Sequence, residues 1–75
     1  ASGQEVDFVI ERSDGKLAAV EVKATSKITA ADFNHIKALA DETGKMFLRG
    51  IIFYTGKEAI PFAKNLFALP IRMLW

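Results

Sequence analysis

Between residues 5 and 24 apolar and polar positions recur with the two-residue period of a strand. Val6, Phe8 and Ile10 fall on one face of an extended chain, and Asp7, Val9 and Glu11 on the other. After a short polar break, Ala18, Val20, Val22 and Ala24 share one face, while Leu17, Ala19, Glu21 and Lys23 share its opposite. Successive side chains of a pleated strand point to opposite sides, so strands are predicted over residues 5–12 and 16–24.

The break between them sets the register. Ser13-Asp14-Gly15 fits a three-residue loop, a type I turn followed by Gly15 in the left-handed region. Counting outward from that loop pairs Arg12 with Lys16 and Asp7 with Glu21, so both carboxylates project together with Lys23 beside them. A two-residue Asp14-Gly15 loop would pair Asp7 with Val22 and send Asp7 to the opposite face.

From residue 30 the period changes to that of a helix. Phe33, Ile36, Leu39 and Ala40 form an apolar stripe over residues 30–43. Thr29 and Asp32 have the spacing of a capping box, Ile28 and Phe33 that of a hydrophobic staple, and Gly44 supplies the stop. The run Phe47 to Thr55 is nearly unbroken in its apolarity, which suits a central strand buried on both faces. Strand, helix and strand in this order make a βαβ crossover, with the strand at 47–55 parallel to that at 16–24 and a right-handed connection. Ile60-Pro61-Phe62 and Leu66-Phe67-Ala68 suit a terminal hairpin, with Pro61 restricted to an edge, and Pro70 suits the start of a last helical turn through Trp75. The expected fold is α/β, a mixed β-sheet whose most apolar face is covered by the helix at 30–43. Its other face would carry Val9, Leu17 and Ala19 with the acids, partly covered by something outside the chain or by a second copy.

Length and composition narrow the function classes. At 75 residues the chain has room for a single domain. It has no cysteine, which excludes a disulfide staple and a thiolate metal site and fits a reducing, cytoplasmic setting. No apolar run approaches the roughly 20 residues of a membrane helix. The formal net charge of +1 is unevenly spread. Residues 1–25 hold five acids against three bases, and residues 26–75 hold seven bases against four acids. A local acidic cluster beside a mildly basic remainder suits a metal site next to a phosphate backbone, and it also suits a mixed solvated surface.

Asp7, Glu21 and Lys23 are the candidate catalytic residues. Phosphodiester hydrolysis needs a nucleophile at neutral pH and neutralised phosphoryl charge, which a divalent metal between two carboxylates can supply. Magnesium takes oxygen ligands and keeps waters, so Asp7, Glu21 and a backbone carbonyl near Val22 make a sufficient set for Mg²⁺ or Mn²⁺. Lys23 would orient the attacking water or neutralise charge. Without a cation, two carboxylates ~4 Å apart repel by about 4 kcal/mol at an effective dielectric near 20. The competing reading is that Glu21-Val22-Lys23 is an ordinary half-exposed strand. Lys27 and Lys37 are candidate phosphate contacts, with plain solvation as their alternative. His35 has no second histidine to form a zinc site.

Beyond the spacing, Asp7 followed by Glu21-Val22-Lys23 resembles the PD-(D/E)XK nuclease superfamily, the restriction-endonuclease-like fold. The longer string is more specific. Gly3-Gln4-Glu5-Val6-Asp7-Phe8-Val9, Val20-Glu21-Val22-Lys23-Ala24, Gly50 to Gly56, Phe67-Ala68-Leu69-Pro70-Ile71 and Leu74-Trp75 resemble the C-terminal domain of unknown function of bacterial and archaeal AAA-type ATPases. The resemblance implies a mixed central sheet of which this chain lacks the first helix and strand. It implies Asp7 and Glu21 as Mg²⁺ ligands, Lys23 as the catalytic lysine and a covalently linked ATPase domain. The expected function is metal-dependent hydrolysis of DNA phosphodiesters. The alternative is a non-catalytic nuclease-fold module for dimerisation or DNA binding. Uncovered apolar surface also predicts a homo-oligomer.

Overall fold

Turn chemistry determines how the sheet begins. In the computed structural model, which describes residues 6–74, β1 (Phe8–Glu11) and β2 (Leu17–Val22) form an antiparallel hairpin. Phe8 faces Val20 and Glu11 faces Leu17, the register of the three-residue loop. The Gly15 N–H donates to the Arg12 carbonyl at 3.0 Å, and the Arg12 N–H to the Lys16 carbonyl at 2.7 Å. Gly15 has φ of 89°, a conformation that a β-carbon resists. The Asp14 carboxylate fixes the turn by accepting from the Arg12 guanidinium at 2.6 Å and from the Lys16 backbone N–H at 3.0 Å.

A 3-10 turn at Ala30–Phe33 leads directly into α1 (Asn34–Thr43), so the helical span predicted from the stripe is present with a tighter first turn. The Asp32 carboxylate accepts the Thr29 backbone N–H at 2.7 Å, satisfying a donor that a helix start leaves without an intrahelical partner. Gly44, with φ of 55°, ends the helix, its N–H bonded to the Ala40 carbonyl. β3 (Phe47–Tyr54) follows and pairs parallel with β2. The terminal hairpin is β4 (Ile60–Ala63) against β5 (Leu66–Pro70), and β5 pairs parallel with β3. The sheet order is β1-β2-β3-β5-β4, which puts Pro61 on an edge strand where its missing N–H costs no ladder bond. Pro70 ends β5, and the last 3-10 turn begins one residue later, at Ile71. Glu5 and Trp75, both part of the sequence expectations, lie outside the described residues.

Side-chain size selects the face that the helix covers. Across one side of the sheet run the partners Ala19, Gly50 and Leu66, then Glu21, Ile52 and Ala68. Ala19, Gly50 and Ala68 are small, and α1 lies in the trough they leave. A β-carbon at Gly50 would collide with the Ile36 side chain and come within 3.0 Å of Leu66 Cδ2. Phe33 and Ile36 from the helical segment join Ala19, Ile52 and Leu66 in the core, and the Phe33 and Phe62 rings pack at 5.1 Å. Fully burying a side chain such as Phe33, Ile36 or Ile52 stabilises the fold by about 1.5–3 kcal/mol each.

This arrangement corrects two expectations. The helix covers the side carrying Leu17, Ala19 and Glu21, not the more apolar side. The apolar side, with partners Phe8, Val20, Ile51 and Phe67 in one row and Val22, Phe53 and Leu69 in the next, is not covered by α1. Consequently β3 is central but is buried on one face only: Gly50, Ile52 and Tyr54 are buried, whereas Ile51 and Phe53 are half-buried. Bulky residues on one face and small ones on the other explain the choice, because a helix packs most closely where the sheet offers little side-chain height.

Candidate functional site

Three backbone restraints fix the C-terminal end of β2. Glu21 is the partner of Ile52 in the parallel ladder, next to the core. The Val22 N–H donates to Asp7 Oδ2 at 2.7 Å. The Lys23 N–H donates to the Phe53 carbonyl at 2.9 Å, carrying the pairing one residue beyond the strand. Glu21-Val22-Lys23 is therefore held from both sides, by Asp7 on the β1 side and by β3 on the other.

Strand alternation puts the side chains of Glu21 and Lys23 on the face covered by the helix. Glu21 is buried, at 3% exposure, the one buried charged residue among those described. Lys23 Nζ lies 2.9 Å from Glu21 Oε2 and 3.9 Å from Asp32 Oδ1. One ammonium thus links the end of β2 to the capping carboxylate at the start of the helical segment. Among the described residues Glu21 Oε1 has no hydrogen-bond partner, and it is buried. A buried ionised carboxylate with an unfilled acceptor position is costly, since desolvating such a group costs about 1–3 kcal/mol or more.

Asp7 precedes β1 and lies outside its ladder, which ends at Phe8 opposite Val20. Its carboxylate reaches the backbone N–H between Glu21 and Lys23 and remains exposed. The three sequence-derived residues therefore meet around the Glu21-Val22-Lys23 backbone: two directly, as an ion pair, and Asp7 through the Val22 amide. Lys27 and Lys37 are exposed and form no ion pair with a described residue. His35 is half-buried on α1. Asp32 was missed as a member of the cluster. Its helix-capping position was readable, but its reach to Lys23 depends on how the loop between β2 and α1 folds back.

The donor set fits a hard divalent cation better than a soft one. It consists of carboxylate oxygens with no sulfur and no imidazole, and Glu21 Oε1 has an acceptor position to fill. Two carboxylates are a sparse protein ligand set, which suits a metal that retains waters. Among the described residues no group of three or more acidic, histidine or cysteine side chains is placed to hold a metal.

The hairpin turn has its own electrostatics. The hydrogen bond from Arg12, reinforced by the Lys16 N–H, lowers the Asp14 carboxyl to about 2, and Asp14 in turn raises the Arg12 guanidinium. Both groups are exposed and stand apart from the Glu21–Lys23 pair, so this is turn chemistry.

On the opposite side of the sheet, Phe8, Ile10, Val20, Val22, Ile51, Phe53 and Leu74 line an apolar groove of about 400 Å³. A second depression, of about 380 Å³, is lined by Leu48, Arg49, Lys64, Asn65 and Phe67. No helix among the described residues is long and apolar enough to cross a membrane.

The family model of a domain of unknown function (DUF4143) matches residues 1–74, and the chain belongs to that family. No curated protein and no solved structure matches it.

Proposed function

We propose that this DUF4143 domain is a metal-dependent nuclease-like module hydrolysing DNA phosphodiesters, with Asp7, Glu21 and Lys23 as its working residues. The observation that carries the reading is the Glu21 carboxylate. One oxygen is paired with Lys23 at 2.9 Å, and the other is buried without a partner among the described residues. A purely structural ion pair gains nothing from an unfilled buried acceptor. A cation-binding carboxylate needs one.

In this reading Asp7 and Glu21 would hold Mg²⁺ or Mn²⁺. Such an ion would supply an acidified water and neutralise phosphoryl charge. Lys23, held beside Glu21, stabilises the negative charge that develops on the phosphoryl oxygens and orients the attacking water. Lys27 and Lys37 contribute sequence-independent phosphate contacts. The restriction-endonuclease-like fold, attachment to an AAA-type ATPase and a cytoplasmic location belong to the same reading and rest on the sequence resemblance.

The apolar face not covered by α1 favours a second reading, a non-catalytic module for DNA binding or dimerisation within an ATPase. Cleavage of labelled single- and double-stranded DNA with Mg²⁺ or Mn²⁺ separates the two. Nuclease function predicts cleavage that is lost in Asp7→Ala, Glu21→Gln and Lys23→Ala. Equal cleavage by the wild type and all three variants dismisses the site, and no cleavage of either DNA form favours the second reading.

A further inference from the structure

We propose that the depression where β3 begins, beside the turn between β4 and β5, binds the phosphate monoester of a nucleotide. It measures about 380 Å³ and is lined by Leu48, Arg49, Lys64, Asn65 and Phe67. Small-molecule pockets run from roughly 300 to 1,000 Å³. The site is separate from Asp7 and Glu21. Glu21 is the ladder partner of Ile52, three residues along β3 from Arg49, which is about 10 Å of strand. Glu21 also faces α1, whereas Arg49 does not, so no single phosphate group touches both places. The site therefore stands whether or not the domain cuts DNA.

The backbone is irregular at this one place. Each of the two register shifts among the described strand pairs adjoins the depression. Leu17 pairs with Phe47 and Ala18 with Arg49, which leaves Leu48 as an extra residue on β3. Pro61 pairs with Phe67 and Ala63 with Leu66, which leaves Phe62 extra on β4, just before the Lys64-Asn65 turn. A bulge breaks the alternation of a strand and re-aims its side chains, so the consecutive residues Leu48 and Arg49 both line the depression. The Gly50 N–H donates to the Asn65 carbonyl at 2.8 Å, which holds the turn against the start of β3.

The lining specifies the ligand. Arg49 and Lys64 are exposed, and Leu48, Asn65 and Phe67 are half-buried. Among the described residues the side chains of Arg49, Lys64 and Asn65 have no ion pair or hydrogen bond, and no acid lines the depression. Two uncompensated cations match a dianion. A phosphate monoester carries about −1.5 to −2 at pH 7, whereas each backbone diester carries a single charge. The guanidinium fork and the ammonium take the terminal oxygens, and the Asn65 carboxamide adds a neutral donor. Leu48 and Phe67 supply an apolar wall against which a base stacks. A phosphopeptide fits less well. Extended peptides bind by adding to a sheet edge, and the neighbouring edge strand β4 carries Pro61, which has no N–H to offer. A free nucleotide and the 5′ end of a nucleic-acid strand present the same chemistry.

The test titrates the chain with adenosine 5′-monophosphate, adenosine, inorganic phosphate and a phosphotyrosine peptide, following the backbone amide resonances of Arg49, Lys64, Asn65 and Phe67. The expected result is that the monophosphate shifts these resonances and binds at least about tenfold tighter than adenosine or inorganic phosphate, a difference of about 1.4 kcal/mol. The exposed double variant Arg49→Glu/Lys64→Glu should abolish that preference while keeping the wild-type amide spectrum elsewhere. Asn65→Asp, which adds one negative charge at the turn, should weaken binding of the monophosphate severalfold. Single-stranded DNA with and without a 5′-phosphate separates the two sources. Tighter binding of the phosphorylated strand than of the monophosphate assigns a strand end, the reverse order assigns a free nucleotide, and either result upholds the site. Equal binding of the monophosphate and adenosine, or of the monophosphate and inorganic phosphate, overturns the proposal. So does a preference unchanged in both variants, or tighter binding of the phosphopeptide. An unphosphorylated strand that binds as tightly as the phosphorylated one would make the depression a backbone contact and also overturn it.

Discussion

Lys23 Nζ sits 2.9 Å from Glu21 Oε2, and the other oxygen of the same carboxylate is buried with no hydrogen-bond partner among the described residues. The lysine therefore compensates only half of a buried acid. Asp32, at 3.9 Å, competes for the same ammonium. Such an arrangement is expensive as scaffolding and useful as a cation site, and the two roles respond differently to substitution.

Lys23→Met leaves the Glu21 charge buried without its partner. Breaking a buried pair from one side costs about 3–5 kcal/mol, and the partial exposure of Lys23 lowers the expected loss to about 2–3 kcal/mol. Glu21→Gln should cost less, and the Glu21→Gln/Lys23→Met double variant should recover part of the loss. Urea denaturation of all four proteins closes the cycle. A loss in the double variant equal to the sum of the two single losses would show that the pair is not energetically coupled.

Asp7 is tested through its acceptor. Asp7→Ala leaves the Val22 N–H without its partner and should destabilise the hairpin by about 1 kcal/mol, while Asp7→Asn keeps an acceptor and should cost less. Hydrogen exchange at the Val22 amide reports this directly, with faster exchange expected in Asp7→Ala. If Asp7 also holds metal, Asp7→Asn lowers metal affinity despite its near-native stability.

Much of this site was legible in the sequence because local chemistry decides it. Ser13-Asp14-Gly15 sets the hairpin register, and Gly15 at φ 89° is the residue the turn requires. The helical stripe, the Asp32 cap, the parallel pairing and the edge position of Pro61 also follow from local patterns. The covered face was not read correctly. Alternation assigns Ala19 and Val20 to opposite sides, but hydrophobicity alone favours burying Val20, Ile51 and Phe53. The deciding signal was size, with Ala19 facing Gly50 in the register and Ala68 one row on. Asp32 reaching Lys23 is a tertiary contact for which the sequence carries no periodic signal.

Gly50 tests that account of the covered face. Gly50→Ala directs a methyl group into the Ile36 side chain and against Leu66, both buried, and should destabilise the domain by about 1–3 kcal/mol. Ile36→Ala removes the Cγ2 methyl that the new β-carbon meets, so its own cost should be smaller in Gly50→Ala than in the wild type. A thermal or urea melt of the single and double variants checks both steps, and a neutral Gly50→Ala would show that α1 packs elsewhere.

Acid sensitivity of the turn has a defined sign. The folded Asp14 carboxyl is lowered to about 2, below its ordinary 3.8, so its contribution is present above pH 3.8 and is lost as pH falls through 2. The Arg12–Asp14–Lys16 turn should therefore lose protection over that window, and Asp14→Ala should flatten this component. Amide exchange at Gly15 and Lys16 between pH 4 and 2 measures it.

The most direct test of the central claim is paramagnetic broadening by Mn²⁺ of the backbone amides, compared between the wild type and Glu21→Gln. A cation site at Asp7 and Glu21 predicts selective broadening of Asp7, Phe8, Glu21, Val22 and Lys23, displaced by Mg²⁺ and lost in Glu21→Gln. Broadening spread evenly over exposed acids such as Asp41 and Glu58, and unchanged by Glu21→Gln, would contradict it.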